Sequence, residues 1–290
     1  MEWLVVLGRL FFSSFANVFQ KKLTHQRHHP FFIVMASYIV LSIICLPLLL
    51  ALNPTELSTS FWINIFFAAL LDMAGALFLV MSLSKTDLSV FGPLNAYKVV
   101  ISMLLAMIFL GEIPSLQGFI GVGIIVFGSY FLFPVSVKIN SNRLLQLVSE
   151  KGVQYRFLSI LLFSIGTLPL KQAVILGDPL STTVFWCLIG LPLAIIAYSI
   201  FLKDNFKNDF TQSKNNLSQF IYLGSLIFLM QYTTMIVFSQ LLIAYSLALF
   251  QLAMVLQVFL GYRIFNEKNI IRRLAASMIM IIGSVVVLKA

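Results

Sequence analysis

The stretch LSVFGPLNAYKVVISMLLAMIFLGE, residues 88–112, decides the fold class of the chain. Its apolar run is about twenty residues long, which is the length of an α-helix that crosses a bilayer. Near the middle of the run, however, lie Asn95 and Lys98. A charged side chain at the centre of a bilayer costs at least about 2.5–3.5 kcal/mol on insertion scales. Lys98 therefore needs a partner or a wet cavity, and other parts of the chain have to supply it.

The composition of the whole chain is that of a polytopic helical membrane protein. Of its 290 residues 60% are hydrophobic and only 10% are charged, too few for the surface of a soluble protein of this length. The apolar runs are continuous rather than alternating, which excludes a β-barrel. The net charge of +9 is the loop excess of Lys and Arg that inner or plasma membrane proteins carry. No nucleic-acid partner is predicted, because no basic run is interleaved with aromatic residues.

Hydropathy predicts ten membrane-spanning helices, here called spans 1 to 10. They cover residues 3–20, 31–52, 61–83, 89–110, 117–133, 156–175, 180–202, 218–239, 241–262 and 271–289. Most connections are short, so neighbouring spans run antiparallel. Two connections are longer. Residues 134–155 predict a connecting loop with a short interfacial helix, and the Asn- and Lys-rich residues 203–217 predict a solvated loop.

The second half of the sequence repeats the first. Residues 110–130 align with residues 265–285 at an offset of 155, and CLPLLL recurs as GLPLAI at an offset of 145. Because each half carries five spans, the second copy must lie upside down relative to the first. The predicted domains are thus two inverted five-helix repeats, residues 1–133 and residues 156–290. Inverted repeats that meet at a midplane site are typical of transporters.

Three stretches of the sequence carry a family resemblance. They are SVFGPLNAYK (89–98), LLAMIFLGEIPSLQGFIGVGIIVFGSYFL (104–132) and a related stretch in the second half, YSLALFQLAMVLQVFLGYRIFNEK (245–268). The pattern resembles EamA-like members of the drug/metabolite transporter superfamily over nearly the whole chain. The resemblance implies an all-α fold of ten transmembrane helices in two inverted repeats. It also implies a central cavity lined by spans 1, 3, 4, 6, 8 and 9, and alternating access by rocking of helix bundles. It says little about the substrate.

Polar side chains within the spans mark the same six spans independently of the family. Those predicted to bind or gate a substrate are Arg9, Ser13 and Asn17 in span 1, Asp72 in span 3, Asn95, Lys98 and Ser102 in span 4, Gln231 and Tyr232 in span 8, and Gln251 and Gln257 in span 9. Span 6 adds Ser164 and Thr167. The spacing within spans 1 and 4 puts each set on one helix face.

Asp72 and Lys98 give the buried charge of span 4 a predicted neighbour. Counted from the turn between spans 3 and 4, their heights differ by about 3 Å. They could form a fixed ion pair that holds two helices together, or a gate that opens when a ligand or a proton arrives. Asp72 is the candidate for proton coupling, because burial favours the protonated acid. Arg9 would leave the cavity with one net positive charge, unless it caps the membrane interface instead.

These features predict a secondary transporter for a small polar metabolite that is amino-acid-like and bears a carboxylate or a phosphate. An enzyme is not predicted, because H-E-x-x-H and G-x-S-x-G are absent. No cofactor and no metal site are predicted, since the histidines of THQRHHP (24–30) have no Cys or carboxylate nearby. The alternatives are a protein that moves lipids or other amphiphiles, and a membrane scaffold that transports nothing.

The loop charges predict an orientation in the inner or plasma membrane. Connections after odd-numbered spans, counted together with the adjoining ends of the spans, hold fifteen Lys and Arg residues, whereas those after even-numbered spans, counted in the same way, hold only Lys171. The positive-inside rule then places both termini outside, although the family resemblance implies the reverse. The expected partners are the substrate and membrane lipids.

Two features of spans 5 and 10 concern packing and helix ends. Their small residues, among them Gly123, Gly128 and Gly283, permit close approach within one chain or between two chains of a homodimer. Glu112 and Glu267 stand at the starts of these spans, where we expect each carboxylate to offset the dipole of its own helix.

Overall fold

The computed structural model describes residues 2–101, 105, 115–129, 131, 149–202, 206–241 and 243–288. Within these ranges the chain forms helices and no strand. Ser102, Glu112 and the interfacial helix predicted between spans 5 and 6 lie outside the described residues.

Twelve helices are described and are numbered here in chain order. They are α1 (Glu2–His25), α2 (Pro30–Leu48), α3 (Thr59–Leu83), α4 (Leu88–Leu94), α5 (Leu116–Ser129), α6 (Lys151–Leu176), α7 (Pro179–Leu202), α8 (Phe206–Lys214), α9 (Leu217–Gln240), α10 (Ile243–Phe250), α11 (Ala253–Phe265) and α12 (Ile270–Leu288). Six of them, α1, α2, α3, α6, α7 and α9, are long and apolar enough to cross a membrane. Shorter apolar segments accompany them, and the chain is an integral, multi-pass membrane protein.

Several long helices begin at caps that the local sequence supplies. At the start of α3 the Ser58 hydroxyl accepts a hydrogen bond from the Phe61 amide at 3.2 Å. At the start of α7 one carboxylate oxygen of Asp178 accepts from the amides of Leu180 at 2.7 Å and Ser181 at 3.0 Å. Pro30 and Pro179 occupy the first helical positions of α2 and α7, where the missing N–H removes no helical hydrogen bond.

The spans predicted as numbers 4 and 9 are interrupted helices. In span 4, α4 ends at Leu94, a turn follows at residues 95–96, and residues 97–101 are helical again. In span 9, α10 and α11 are separated by a turn at residues 251–252. Pro93 lies in the last turn of α4, where it has no N–H to donate to the Ser89 carbonyl and its ring crowds that carbonyl, which weakens the helix at this point. Spans 4 and 9 are therefore each built from two helical segments in the described residues.

Five extensive helix interfaces join the first half of the chain to the second. They pair α1 with α9, α3 with α6, α2 with α7, α4 with α11, and α5 with α12. A methyl group at Gly283 of α12 would lie 2.9 Å from the carbonyl oxygen of Gly121 in α5. The small residues at this interface thus serve close packing within one chain.

Two connections differ from the sequence prediction. Helix α6 begins at Lys151 and not at 156, so Arg156 lies inside a helix rather than in a loop. The predicted solvated loop contains α8, where Asp209 accepts a hydrogen bond of 2.7 Å from the Tyr198 hydroxyl. Beyond α8, the Asn216 amide lies 3.0 Å from Nε2 of His28. Burial lowers the pKa of this imidazole, which keeps it uncharged at neutral pH.

Glycine allows α7 to approach α2 closely at one point. A methyl group at Gly190 would overlap the buried ring of Tyr38. We expect Gly190→Ala to lower the free energy of unfolding by about 1–3 kcal/mol, the usual cost of overpacking a core. Thermal melting in detergent measures this. The matched control is Gly123→Ala, because nothing lies within 4 Å of a methyl group there. An equal loss in both variants would contradict the interpretation.

Candidate transport cavity

A cavity of about 190 Å³ lies between helices of both halves. Its polar wall consists of Arg9, Ser13, Asn17, Gln20, Asp72, Asn95, Lys98, Arg156, Thr167, Gln231, Thr234, Gln251 and Gln257. Aromatic and aliphatic side chains form the rest, including Trp186 of α7. The described wall thus holds three cations and one carboxylate, far from the composition of a hydrocarbon core.

Most of the residues predicted for the site line this cavity. They are Arg9, Ser13, Asn17, Asp72, Asn95, Lys98, Gln231, Gln251 and Gln257. Tyr232 does not line it, because it lies about 100° around α9 from Gln231; its ring stacks on Phe228 with 6.3 Å between centroids. Ser102 is outside the described residues. Among those that are described, no group of His, Cys, Asp or Glu side chains is arranged to hold a metal ion.

Asp72 is held by a tryptophan and not by the predicted lysine. Its Oδ2 accepts a hydrogen bond of 3.0 Å from Nε1 of Trp186. Helix α6 leaves room for the acid, because a methyl group at Gly166 would lie 3.0 Å from Oδ1. Asp72 and Lys98 share the cavity but form no ion pair within 4.0 Å in the described structure. The fixed bridge, one of the two interpretations of this pair, is therefore not formed.

Lys98 follows directly on the turn that interrupts span 4. Its backbone amide donates to the Asn95 carbonyl at 2.9 Å, a bond between residues three apart that is tighter than that of an α-helix. Among the described residues the ammonium group has no hydrogen-bond or ion-pair partner. The interruption of the helix thus presents a positive charge to the cavity without neutralising it.

Two arginines, one from each half of the chain, face the cavity. Nε of Arg9 lies 3.4 Å from the Thr234 hydroxyl, and its guanidinium carbon is 3.7 Å from the centroid of Phe250. The guanidinium of Arg156 lies 4.0 Å from the centroid of Phe91. Stacking on an aromatic face stabilises a cation in an apolar wall. Arg9 thus lines the cavity in the described structure.

The two helix interruptions meet beside Arg156. The Asn95 amide donates to Oε1 of Gln251 at 3.4 Å, and its own oxygen accepts a bond of 2.9 Å from Arg156. Arg156 is 5% exposed and is a site residue that sequence reasoning missed. The repeat held the signal for it, because Arg156 follows Arg9 by 147 positions, inside the range of the repeat offsets.

A second polar cluster joins α1, α4 and α12. It is here called the Glu267 clasp and consists of Glu267, Lys21, Arg273 and the backbone amides of Leu88 and Ser89. One carboxylate oxygen of Glu267 accepts from the Leu88 amide at 2.7 Å and lies 3.2 Å from the Lys21 ammonium. The other accepts from the Ser89 amide at 2.9 Å and lies 3.4 Å from Arg273. Glu267 thus caps α4 of the other half, and the expectation that it serves its own helix α12 is wrong.

The local sequence of the clasp explains how Glu267 reaches α4. Asn266 and Asn269 adopt positive φ angles of 52° and 65°, which asparagine tolerates better than most residues, and they form the tight turn between α11 and α12. A methyl group at Gly261 would lie 2.5 Å from Oε2 of Glu267. Glycine in α11 therefore leaves the space that the carboxylate occupies.

Comparison with known proteins supports a family for the first half. Residues 1–133 match the model of the EamA-like transporter family. The chain carries an EamA-like transporter region. This region includes the cavity residues from Arg9 to Lys98, and it is consistent with a transporter of the drug/metabolite superfamily. None of the curated proteins matches the chain.

A solved structure shows the same fold over nearly the whole chain. It is titled only "Crystal structure of protein" and has 12% sequence identity and a TM-score of 0.62. The match covers 98% of this chain and 94% of the other. At this identity the likeness concerns the fold alone, and it extends beyond the family match to the helices that carry Arg156, Gln251 and Gln257.

Proposed function

We propose that the protein is a secondary transporter that moves a small polar metabolite, amino-acid-like and carboxylate- or phosphate-bearing, through the cavity. The observation that carries the proposal is a polar cavity with three cations and one carboxylate, walled by both halves of an EamA-like chain that spans the membrane. Charged side chains inside a membrane are expensive and are usually retained for function. No nucleotide motif is involved, so an ion gradient or the substrate's own gradient would drive transport.

The helix pairing supports two inverted five-helix repeats. Exchanging the halves converts the pair α1–α9 into the pair α6–α3. It maps the pairs α2–α7 and α5–α12 onto themselves, and it maps the pairing of span 4 with span 9 onto itself. The helix interruptions at residues 95–96 and 251–252 also correspond. The second repeat, predicted over 156–290, would begin with α6 at residue 151, and the first would cover residues 1–133.

Two equivalent lysines support alternating access between these repeats. Lys21 in α1 donates to the Thr86 carbonyl at 2.7 Å, at the connection that follows α3. Lys171, which follows Lys21 by 150 positions, donates to the Leu241 carbonyl at 3.0 Å, at the connection that follows α9. In an inverted repeat these contacts belong to opposite ends of the cavity. Each end thus has a contact that can tighten while the other loosens.

The placement in the membrane follows from the same architecture. Lys151 and Arg156 both lie in α6, and without these two residues thirteen of the fifteen Lys and Arg residues still lie on the side of the connections after odd-numbered spans, so the bias survives. It favours an inner or plasma membrane location with both termini outside, opposite to what the family resemblance implies. The Glu267 clasp would then lie at the cytoplasmic end.

The first test is a thermal-shift screen of the purified protein against a metabolite panel. We expect carboxylate- or phosphate-bearing compounds to raise the melting temperature of the wild type and not that of Lys98→Ala. Lys85→Ala is the matched control, since Lys85 is an exposed lysine only 13 positions away, and it should keep every shift.

The other outcomes of this screen are equally clear. Shifts that persist in Lys98→Ala would make Lys98 structural and contradict its role in binding. If no polar compound shifts either protein, the proposed substrate class is wrong and movement of lipids or other amphiphiles is favoured. Uptake of the identified compound into proteoliposomes then separates a transporter from a scaffold that only binds.

A further inference from the structure

The cations that line the cavity outnumber its carboxylate by two. Arg9, Lys98 and Arg156 face Asp72 as the single acid of the described wall. Asp72 has already engaged Trp186, and no acid lies within ion-pair distance of the three cations in the described structure. Uncompensated charges in a medium of low dielectric constant are strongly unfavourable. A bound molecule that carries about two negative charges would therefore neutralise the described wall.

Both guanidinium groups keep hydrogen-bond donors available. Each has five N–H donors in a planar fork. The described side-chain hydrogen bonds use one nitrogen of each, Nε of Arg9 toward Thr234 and a terminal nitrogen of Arg156 toward Asn95, so edges of both forks stay available. Arg156 spends one nitrogen on Asn95, while its buried Nε has no partner in the described structure. Edges of this kind bind carboxylate and phosphate oxygens in a bidentate manner.

Buried amides around the cavity are also incompletely paired. Nε2 of Gln231, Nε2 of Gln251 and Oε1 of Gln257 lack hydrogen-bond partners in the described structure. These side chains are only 6%, 1% and 7% exposed. Buried polar atoms are nearly always hydrogen-bonded in native proteins. Their position in the wall indicates that a polar molecule completes the network when it binds.

The dimensions of the cavity restrict this molecule to a small one. About 190 Å³ is below the range of typical drug-sized pockets. The cations come from α1, from α6 and from the segment after α4, so they approach from different walls. A compact molecule can meet several of them at once.

We propose that the cavity binds a small molecule with two negative charges, a phosphate monoester or a dicarboxylate, with Arg156 as an anchor for the second charge. The inference rests on the proposed function, since it specifies the substrate of the same site. A single negative charge would leave the described wall with one net positive charge, whereas two leave none.

Matched pairs of probes test this inference at pH 8 and constant ionic strength. Succinate is compared with its monomethyl ester, and ethyl phosphate with diethyl phosphate, by thermal shift and titration calorimetry of the full-length protein in detergent. At this pH a phosphate monoester is a dianion. We expect at least one dianion to bind about tenfold more tightly than its singly charged partner, the gain of one good charge-assisted contact. The pair with the larger difference identifies dicarboxylate or phosphate chemistry.

Variants of Arg156 test whether this residue binds the second negative charge of the ligand. We expect Arg156→Gln to reduce the preference for the dianion to less than about threefold, and Arg156→Lys to keep part of it, since lysine retains the charge but loses the fork. Arg263→Gln removes an exposed arginine and should leave the preference unchanged. A preference that persists in Arg156→Gln would overturn the role of Arg156. The comparison on the wild type requires no variant and remains decisive if Arg156→Gln fails to fold.

The remaining outcomes separate this inference from the proposed function. Equal binding of the singly and doubly charged member in both pairs would overturn the inference and leave an anion transporter intact. If none of the four probes binds, while a zwitterion from the metabolite panel does, the dianion is also excluded and transport of an amino-acid-like substrate stands. If no polar compound binds at all, the proposed function fails as well.

Discussion

Replacing Glu267 with alanine is expected to lower the free energy of unfolding by about 3–5 kcal/mol, the usual cost of removing one partner from a buried ion pair. The carboxylate is 5% exposed and lies between Lys21 and Arg273, whose side chains are 4% and 6% exposed. Its removal leaves the buried Lys21 without an acid, and it leaves Arg273 with only the half-exposed Asp87 as its partner. It also leaves the amides of Leu88 and Ser89 uncapped at the start of α4.

A second acid of the same cluster provides the control. Asp87 also pairs with Arg273, at 2.7 Å, but its side chain is 51% exposed. Water can replace this contact, so Asp87→Asn should change stability by less than about 1 kcal/mol. Thermal and denaturant melts in the same detergent compare the two variants. Similar losses for both would show that burial does not determine the strength of the clasp.

Replacing Asp72 with asparagine is expected to reduce proton-driven accumulation of substrate in proteoliposomes by at least about tenfold, because proton relays inside membranes depend on ionisable side chains. Asp72 is the single carboxylate of the described cavity wall. Asparagine is similar in size and keeps an oxygen that can accept the Trp186 hydrogen bond. Exchange of labelled for unlabelled substrate, which needs no net proton movement, should therefore continue.

Two further measurements make this prediction specific. Trp186→Phe removes the hydrogen bond but keeps the acid, so it should retain coupling to the proton gradient. If Asp72→Asn still accumulates substrate like the wild type, another group carries the proton or transport is not proton-coupled. If it loses exchange together with accumulation, Asp72 is needed for substrate binding or for the conformational cycle itself.

The long helices could be predicted from the sequence because hydropathy reports burial in lipid directly. Each of the six long spans was located to within a few residues at most ends. Polar residues within apolar runs also revealed most of the cavity wall, since such residues are rarely tolerated without a function. Lys98, which needs a partner or a wet cavity inside the membrane, does face a polar cavity.

The remaining details depend on information that hydropathy does not contain. A shared cavity for Asp72 and Lys98 could be expected from their positions in neighbouring spans, but the contacts of each side chain could not. Asp72 meets the indole of Trp186, whose N–H donor a hydropathy scale does not represent. Arg156 was assigned to a loop because its charge ended the apolar run. The interruption at Gln251 has no proline or glycine at the turn itself, so no local signal marks it.

Burial of the Glu267 clasp has a consequence for how the protein responds to the salt concentration around it. Salt screens exposed charges strongly and buried pairs much less, and the Lys21 and Glu267 side chains are almost inaccessible to solvent. Changes in ionic strength at the membrane surface are therefore expected to leave the closure of this end nearly constant. Opening of this end of the cavity would then depend on which molecule occupies the cavity and not on the salt concentration of the surrounding solution.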